Sequence, residues 1–290
     1  MRRHGVRTRT VGLGVAQDKT GDGFDVRSLA VSYRDGFTIG EHLHPWGQLV
    51  YGISGVMRVS TADTVWFVPP TCAIWLPPRR THRIVMQGDV ALRTLYLASG
   101  RTRDLQDEVM ALEVSPLLRE LILHILRLSM LDPRIAEHDK LAGVLTDLIA
   151  SAPPGNLRLP MPTDPRACVA AQWFQANPSE RHDLSTVARH CGCSLRTLQR
   201  LFVRQTGISM EAWRQKVRLI NGVGCLSGGS NVTEAALACG YDSTSAFIAV
   251  FKKQFGVTPG RYSGVSAGGG AVAVQDRTVG FTHEARFAHT

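Results

Sequence analysis

The chain has 290 residues, 44% hydrophobic and 20% charged, with a formal net charge of +9. That composition supplies ordinary cores for two globular domains and excludes a disordered or collagen-like chain. No apolar run approaches the ~18 residues of a membrane span, and MRRHGVRTRT leads into no signal-peptide core, so a cytoplasmic protein without membrane attachment is expected. Between Arg166 and Ser263 there are 12 Lys and Arg against 5 Asp and Glu, so most of the excess charge sits on one region. Such a surface suits phosphate binding, although basic charge alone would also suit RNA, a membrane or solubility.

Residues 1–20 lack periodicity and read as a disordered basic arm. From about Asp25 to Ser99 the pattern is of strands: VRSLAVSY, QLVYGI, VMRVST, TVWFVPP, AIWLPP, HRIVMQG and VALRTLYLA. They are short, rich in β-branched and aromatic residues, and punctuated by Gly and Pro. Many short strands without intervening helices argue for a barrel or a sandwich.

Within this region HLHPWGQ carries the candidate chemistry. His42 and His44 are two apart, so on a strand both imidazoles project to one face, where Gln48 and His82 can join them. Three neutral imidazoles suit a divalent transition metal such as Zn, Ni or Fe. The alternative reading makes His42, His44 and Gln48 hydrogen-bonded residues that hold an organic effector or fix the barrel mouth. Trp46, Gln48, Tyr51, Trp75 and Arg93 are the candidate effector-pocket residues, since small-ligand sites combine apolar walls with few polar groups.

The spacing of Gly36, His42, His44 and Gly55, followed by Pro77 and His82, resembles the two cupin motifs. The resemblance implies a cupin barrel, with Gln48 at the position of the family's metal glutamate and Arg79 where a glycine is expected. An amide there removes a negative charge and leaves a weaker oxygen ligand, which counts against a catalytic facial triad. No enzyme activity is therefore expected.

Two helical segments come next. Ser115-Pro116 opens the first with a cap and a first-turn proline, ahead of the stripe Leu117, Leu118, Leu121, Ile122, Ile125, Leu126 and Leu128. Asp139 to Ala150 gives the second. Their stripes are wider than one barrel contact needs, so they serve either a homodimer seam or packing within the chain. SAPPGNLRLPMPTDP (Ser151 to Pro165) has five prolines and a glycine and reads as a semi-stiff linker. RACVAAQWFQANP then opens a helical domain, with Val169 and Trp173 expected to pack on the helices C-terminal to it.

The next 80 residues contain one pattern twice. LSTVARHCG (Leu184 to Gly192) aligns with VTEAALACG (Val232 to Gly240), so that Ala188 matches Ala236 and Gly192 matches Gly240. After one inserted residue Ser194 matches Ser243, Leu198 matches Phe247, Phe202 matches Phe251, Arg204 matches Lys253 and Gly207 matches Gly256. These are the positions a helix-turn-helix needs: small residues for close approach, glycines for a positive φ, serines for caps. Leu195, Leu198, Leu201 and Phe202 form an apolar stripe, leaving Arg196, Gln199, Arg200 and Arg204 opposite it. Arginine can fork onto guanine and glutamine onto adenine, as a recognition helix requires. Between the copies Trp213, Val217, Ile220 and Val223 mark a long amphipathic helix, able to hold two recognition helices about one duplex turn apart.

Residues from about Arg166 to Ser263, ending in FKKQFGVTPGRY, resemble the DNA-binding domain of the AraC-type (AraC/XylS) transcription regulators. The resemblance implies that Arg196, Gln199 and Arg200 contact bases or the backbone in the first copy, and Thr244, Ser245 and Ala249 in the second; Thr197, Arg204, Lys252 and Lys253 are further candidate DNA-binding residues. Because Arg196 is matched by Ser245 and Arg200 by Ala249, the first copy is expected to carry most base readout and the second mainly phosphate contacts. Residues 264–290, Gly/Ala-rich at their start, read as a flexible tail in which His283 and His289 are solvated.

The expected architecture is α+β. A cupin-like sensor barrel with dimerisation helices occupies 21–150, a linker 151–165, and an all-α double helix-turn-helix domain 166–263. The expected partners are a double-stranded DNA operator, a small-molecule or metal effector, a second copy of the chain and RNA polymerase. The six cysteines form no repeated CxxC framework and read as small packing residues in a reducing compartment.

Overall fold

A computed structural model describes residues 23–155, 158–180, 183–255 and 257–262. The basic arm, the tail with His283 and His289, and Gly256 lie outside the described residues. The seven strand segments expected from the sequence form β1 (Val26–Tyr33), β3 (Gly47–Gly52), β4 (Val56–Ser60), β5 (Thr64–Val68), β6 (Cys72–Leu76), β7 (His82–Gln87) and β8 (Val90–Leu97), and between the first two of them lies β2 (Thr38–His42), which was not among them. Three more, β9 (Met110–Glu113), β10 (Met130–Leu131) and β11 (Arg158–Pro160), fall in stretches with no alternation long enough to reveal them.

Two sheets face each other. One has the order β10-β1-β8-β3-β6-β9, the other β11-β5-β4-β7-β2, and every pairing is antiparallel. Strand alternation sorts each central strand between two cores. Val50, Ile74, Leu76 and Leu92 join Ile84 and Met86 between the sheets. Leu49, Tyr51, Ala73, Trp75 and Leu95 point the other way, against α1 (Pro116–Leu128) and α2 (Ala136–Ser151). Helix α1 begins as expected, with the Ser115 side chain accepting from Leu118 N and Pro116 in the first turn.

The stretch from Ser151 to Pro165, expected to lack regular structure, is stitched to the barrel. Leu112 bridges Pro154, and β11 pairs with β5 at the edge of the five-stranded sheet. Its Pro160 is tolerated because an edge strand has a side that needs no donor. The helical domain then runs α3 (Pro165–Ala176), α4 (Leu184–His190), α5 (Leu195–Thr206), α6 (Met210–Ser227), α7 (Val232–Ala238) and α8 (Thr244–Phe255). On α3 the buried residues are Ala167, Ala170, Ala171 and Phe174, whereas Val169 is exposed. The expectation for Val169 was wrong because three small alanines let α3 approach its neighbours along a different face. Trp173 is half-buried beside His190, with ring centroids 5.3 Å apart.

Hydrogen bonds among the described residues tie the helical domain to the barrel. Trp213 Nε1 donates to Pro160 O at 2.8 Å, Arg58 Nη1 to Gln175 Oε1 at 3.4 Å, and the Thr71 and Tyr262 hydroxyls meet at 2.8 Å. All six cysteines are free thiols, with Cys72, Cys191 and Cys239 buried. Burial pushes the Cys72 and Cys239 thiols up to about 12, so both pack as small neutral residues.

Candidate functional site

The two helix pairs are built alike. Asp183 caps α4 by accepting from Ser185 N, and Asn231 caps α7 in a capping box with Glu234. Each pair turns on a glycine with φ of 70°, Gly192 and Gly240. A serine then caps each second helix from 3.2 Å: Ser194 accepts from Thr197 N, and Ser243 from Ala246 N. Leu198 and Phe202 on α5, and Phe247 and Phe251 on α8, are fully buried.

These buried stripes fix which flank faces water. Arg196, Arg200 and Arg204 are exposed on α5 with Gln199 half-buried among them, and none of the three arginines enters an ion pair among the described residues. The Thr197 hydroxyl meets Ser194 Oγ at 3.0 Å, and Gln199 Nε2 donates to Glu211 Oε1 at 3.2 Å. On α8, Ser245, Ala249, Lys252 and Lys253 are exposed and Thr244 is half-buried at the first turn. Helix α6 joins the pairs over 18 residues, roughly 27 Å, capped by Ser209 and ended at Gly228.

In the barrel, three imidazoles converge. The ligand atoms of His42, His44 and His82 all lie within 4.8 Å of one another, and His44 and His82 are buried. His42 ends β2, whereas His44 sits in the β2–β3 loop and not on a strand. The two-residue alternation expected for this pair is therefore replaced by a loop whose position Arg79 sets, its N–H donating to His44 O at 2.8 Å. Arg79 has φ of 59°, the left-handed conformation for which a glycine was expected there.

Each imidazole sets Nδ1 against a backbone carbonyl: Gly40 O at 2.8 Å for His42, Trp46 O at 2.7 Å for His44 and Arg80 O at 2.8 Å for His82. For His42 and His82, donation from Nδ1 fixes the tautomer whose Nε2 carries a lone pair, which is how proteins orient metal-ligating histidines. His82 Nε2 is buried and has no hydrogen-bond partner among the described residues. Burial, reinforced by His42 and His44, lowers His82 to about 4, and burial also lowers His44, so both are neutral near pH 7. The donor set thus fits a divalent transition metal.

His44 adds a further constraint. Its Nε2 lies 2.9 Å from Gln48 Oε1, while Gln48 Nε2 donates to Thr94 Oγ1 at 3.0 Å and Thr94 donates to Leu49 O at 3.0 Å. Both His44 nitrogens therefore face oxygen acceptors, and a neutral ring satisfies only one. Turning the Gln48 amide offers its NH2 to Nε2 but gives up the donation to Thr94.

Of the five candidate pocket residues, the structure brings only Trp46 and Gln48 to this cluster. Tyr51 and Trp75 lie in the core beneath α1 and α2, and Trp75 Nε1 donates to Gln106 O at 2.9 Å. Arg93 pairs in register with Tyr51 and shares its face. Counting from Gln48, Tyr51 has the opposite parity, so period two itself excludes them from one pocket. Arg27 and Tyr96 were missed: Tyr96 stacks edge-on to His44 at 5.5 Å and Arg27 lies 5.3 Å from the Trp46 ring. The signal was the β1–β8–β3 register, which places Arg27, Tyr96 and Gln48 side by side.

A barrel with an inward polar cluster, followed by tandem helix-turn-helix pairs, is the layout of a ligand-responsive DNA-binding regulator. Residues 187–264 match the family described as a helix-turn-helix domain, and residues 26–153 the family described as an AraC-like ligand binding domain. The chain is 33% identical over 228 residues to the HTH-type transcriptional regulator NimR of Escherichia coli, covering 79% of this chain and 83% of NimR. The HTH-type transcriptional regulator RipA of Corynebacterium glutamicum is 31% identical over 123 residues, 42% of this chain and 35% of RipA. Among solved structures, ToxT from Vibrio cholerae aligns over 84% of this chain and 99% of its own, at 12% identity and a TM-score of 0.37. The chain belongs to the AraC-type family of transcription regulators, with a ligand-binding domain ahead of the helix-turn-helix domain.

Proposed function

We propose that the protein reads a specific operator through α5 and α8, and that occupancy of the barrel cluster biases how it does so. The observation that carries this reading is the pair of equivalent helices whose apolar stripes are buried while their polar flanks stay exposed. Arg196 and Arg200 supply base readout with Gln199 beside them. Thr197 supports the start of α5, and Arg204 adds a phosphate contact. On α8, Thr244 and Ser245 sit at the first turn, and Lys252 and Lys253 bind phosphates. Selection of duplexes from a random pool by the full chain tests this: a regulator prefers its own site over a scrambled one by ~10³ or more, and equal affinity for all duplexes refutes it.

For the sensor, His42, His44 and His82 would hold Zn, Ni or Fe, which when bound would act as a Lewis acid or an anchor for an organic effector. The orphaned His82 Nε2 supports this reading. Metal analysis of protein purified without a histidine tag checks it, with loss of the bound metal in His82→Ala. Gln48 supplies no carboxylate, which supports a sensing role over turnover. β11 supplies the coupling route, because it pairs with β5 of the barrel and hands Pro160 O to Trp213. An effector shifts DNA binding only through different affinities for two arrangements of this joint.

Exposed Leu117 on α1 and Val144 on α2 support a homodimer through the helical layer, in a cytoplasmic protein that also meets RNA polymerase. Sedimentation as a monomer at micromolar concentration removes the dimer from this picture.

A further inference from the structure

Between the two helix pairs, one face of α6 carries Glu211, Arg214, Gln215 and Arg218, which with Ala212 and Tyr241 line a groove of about 380 Å³. Both ends of the groove join elements already described. Gln199 of α5 reaches Glu211, and Arg218 Nη2 donates to Gly240 O at 2.5 Å in the turn before α8. Aromatic faces hold both guanidinium groups: Arg214 lies 5.0 Å from the Phe174 ring and Arg218 5.2 Å from the Tyr241 ring. Stacking orients a guanidinium without neutralising it, so its forked N–H groups stay available to an oxyanion. The single carboxylate on the lining, Glu211, is engaged by Gln199, and Arg218 Nε is buried with no hydrogen-bond partner among the described residues.

We propose that this groove seats a phosphate of the DNA backbone where it crosses between the two major-groove segments, with Arg214 and Gln215 touching it and Arg218 holding the groove in shape. This rests on the reading of α5 and α8 as DNA-inserting helices. Two such helices on one face of a duplex, about one turn apart, leave a minor-groove crossing opposite the strut that joins them. Side chains on that stretch of strut meet sugar-phosphate and not base edges, and a planar, pre-oriented guanidinium matches a phosphate in geometry as well as charge.

The test uses the full chain, a duplex it selects from a random pool, and a scrambled duplex. Arg214→Gln should weaken binding to both by a similar factor, ~10-fold at low salt, and reduce the slope of log affinity against log salt by about 1. Arg214→Lys, which keeps the charge, should retain the slope. A selected duplex with neutral methylphosphonate links in the central crossing should weaken the wild-type chain to the same degree, and Arg214→Gln no further. An unchanged salt slope in a normally melting Arg214→Gln protein overturns the proposal, as does a loss confined to the selected duplex. Arg196→Ala with Arg200→Ala separates the two readings. If that double variant binds like the wild type, the DNA-inserting role of α5 fails. If it loses its preference while Arg214→Gln binds normally, only the groove proposal fails.

Discussion

The two helix-turn-helix pairs share a backbone and differ on one face. Their turns use glycines of the same φ, their second helices start on serine caps of the same length, and their cores repeat position for position. On the exposed flank, Arg196 faces Ser245 in the alignment, Gln199 faces Ile248, and Arg200 faces Ala249. Residues that fold the motif and residues proposed to read DNA occupy opposite sides of one helix, so the second set can differ while the first stays fixed. The context of the turns differs too. A Cβ at Gly192 would meet nothing within 4 Å, whereas one at Gly240 would overlap Ser179 O and lie 2.6 Å from Arg218 Nη2.

That last contrast gives the largest expected effect. Gly240→Ala combines a left-handed backbone with overlap against main chain and should destabilise the helical domain by about 3 kcal/mol or more, while Gly192→Ala carries the cost of its φ alone, about 1–2 kcal/mol. Denaturant unfolding of both variants checks this, and equal losses would mean that the packing of the two turns is equivalent after all.

Next comes base readout. Arg200→Ala should weaken binding to a selected operator by about 1–3 kcal/mol and relax preference at one position, whereas Ser245→Ala should change preference little. A larger change in sequence preference from Ser245→Ala would reverse the division between the motifs. Converting Lys252 and Lys253 to Gln together should leave preference intact and lower the salt slope by about 2.

The smallest effect concerns the caps. Hydrogen bonds from Thr186 and from Ser185 N–H hold the Asp183 carboxyl below its ordinary value. A depressed folded value stabilises α4 above the unfolded value of about 3.9 and loses that contribution as pH falls through the folded one. Asn231, which caps α7 with a neutral amide, has no such titration. Protection of α4 amides, taken relative to their intrinsic exchange rate at each pH, should therefore fall below about pH 4, and Asp183→Asn should remove that fall.

Much of this was legible in the residues because the signals are local. Caps, turn glycines and the i, i+3, i+4 stripe act within one helix pair, and a duplicated pattern reports itself. Seven strands announced their period in the same way. The three imidazoles were legible as a set, but their geometry was not: His44 comes from a loop, and Arg79 rather than strand alternation places it. The pocket was read poorly because Tyr51, Trp75 and Arg93 are the right residue types on the wrong parity. Type tells that a side chain is buried, and only register tells in which core.

Sequence by itself determined the kind of most elements, the twin motifs, the exposed flank of α5 and the histidines worth watching, since each depends on contacts within a turn or a strand. Tertiary structure decided that residues 158–160 become an edge strand, that Trp213 hangs from Pro160 O, and that α6 presents an arginine-lined groove between the motifs. Those features join residues about 20 to 190 positions apart in the chain, as Arg218 meets Gly240 and Thr71 meets Tyr262. Closing so long a loop is favourable only when the whole core forms, so no short window of sequence contains the signal.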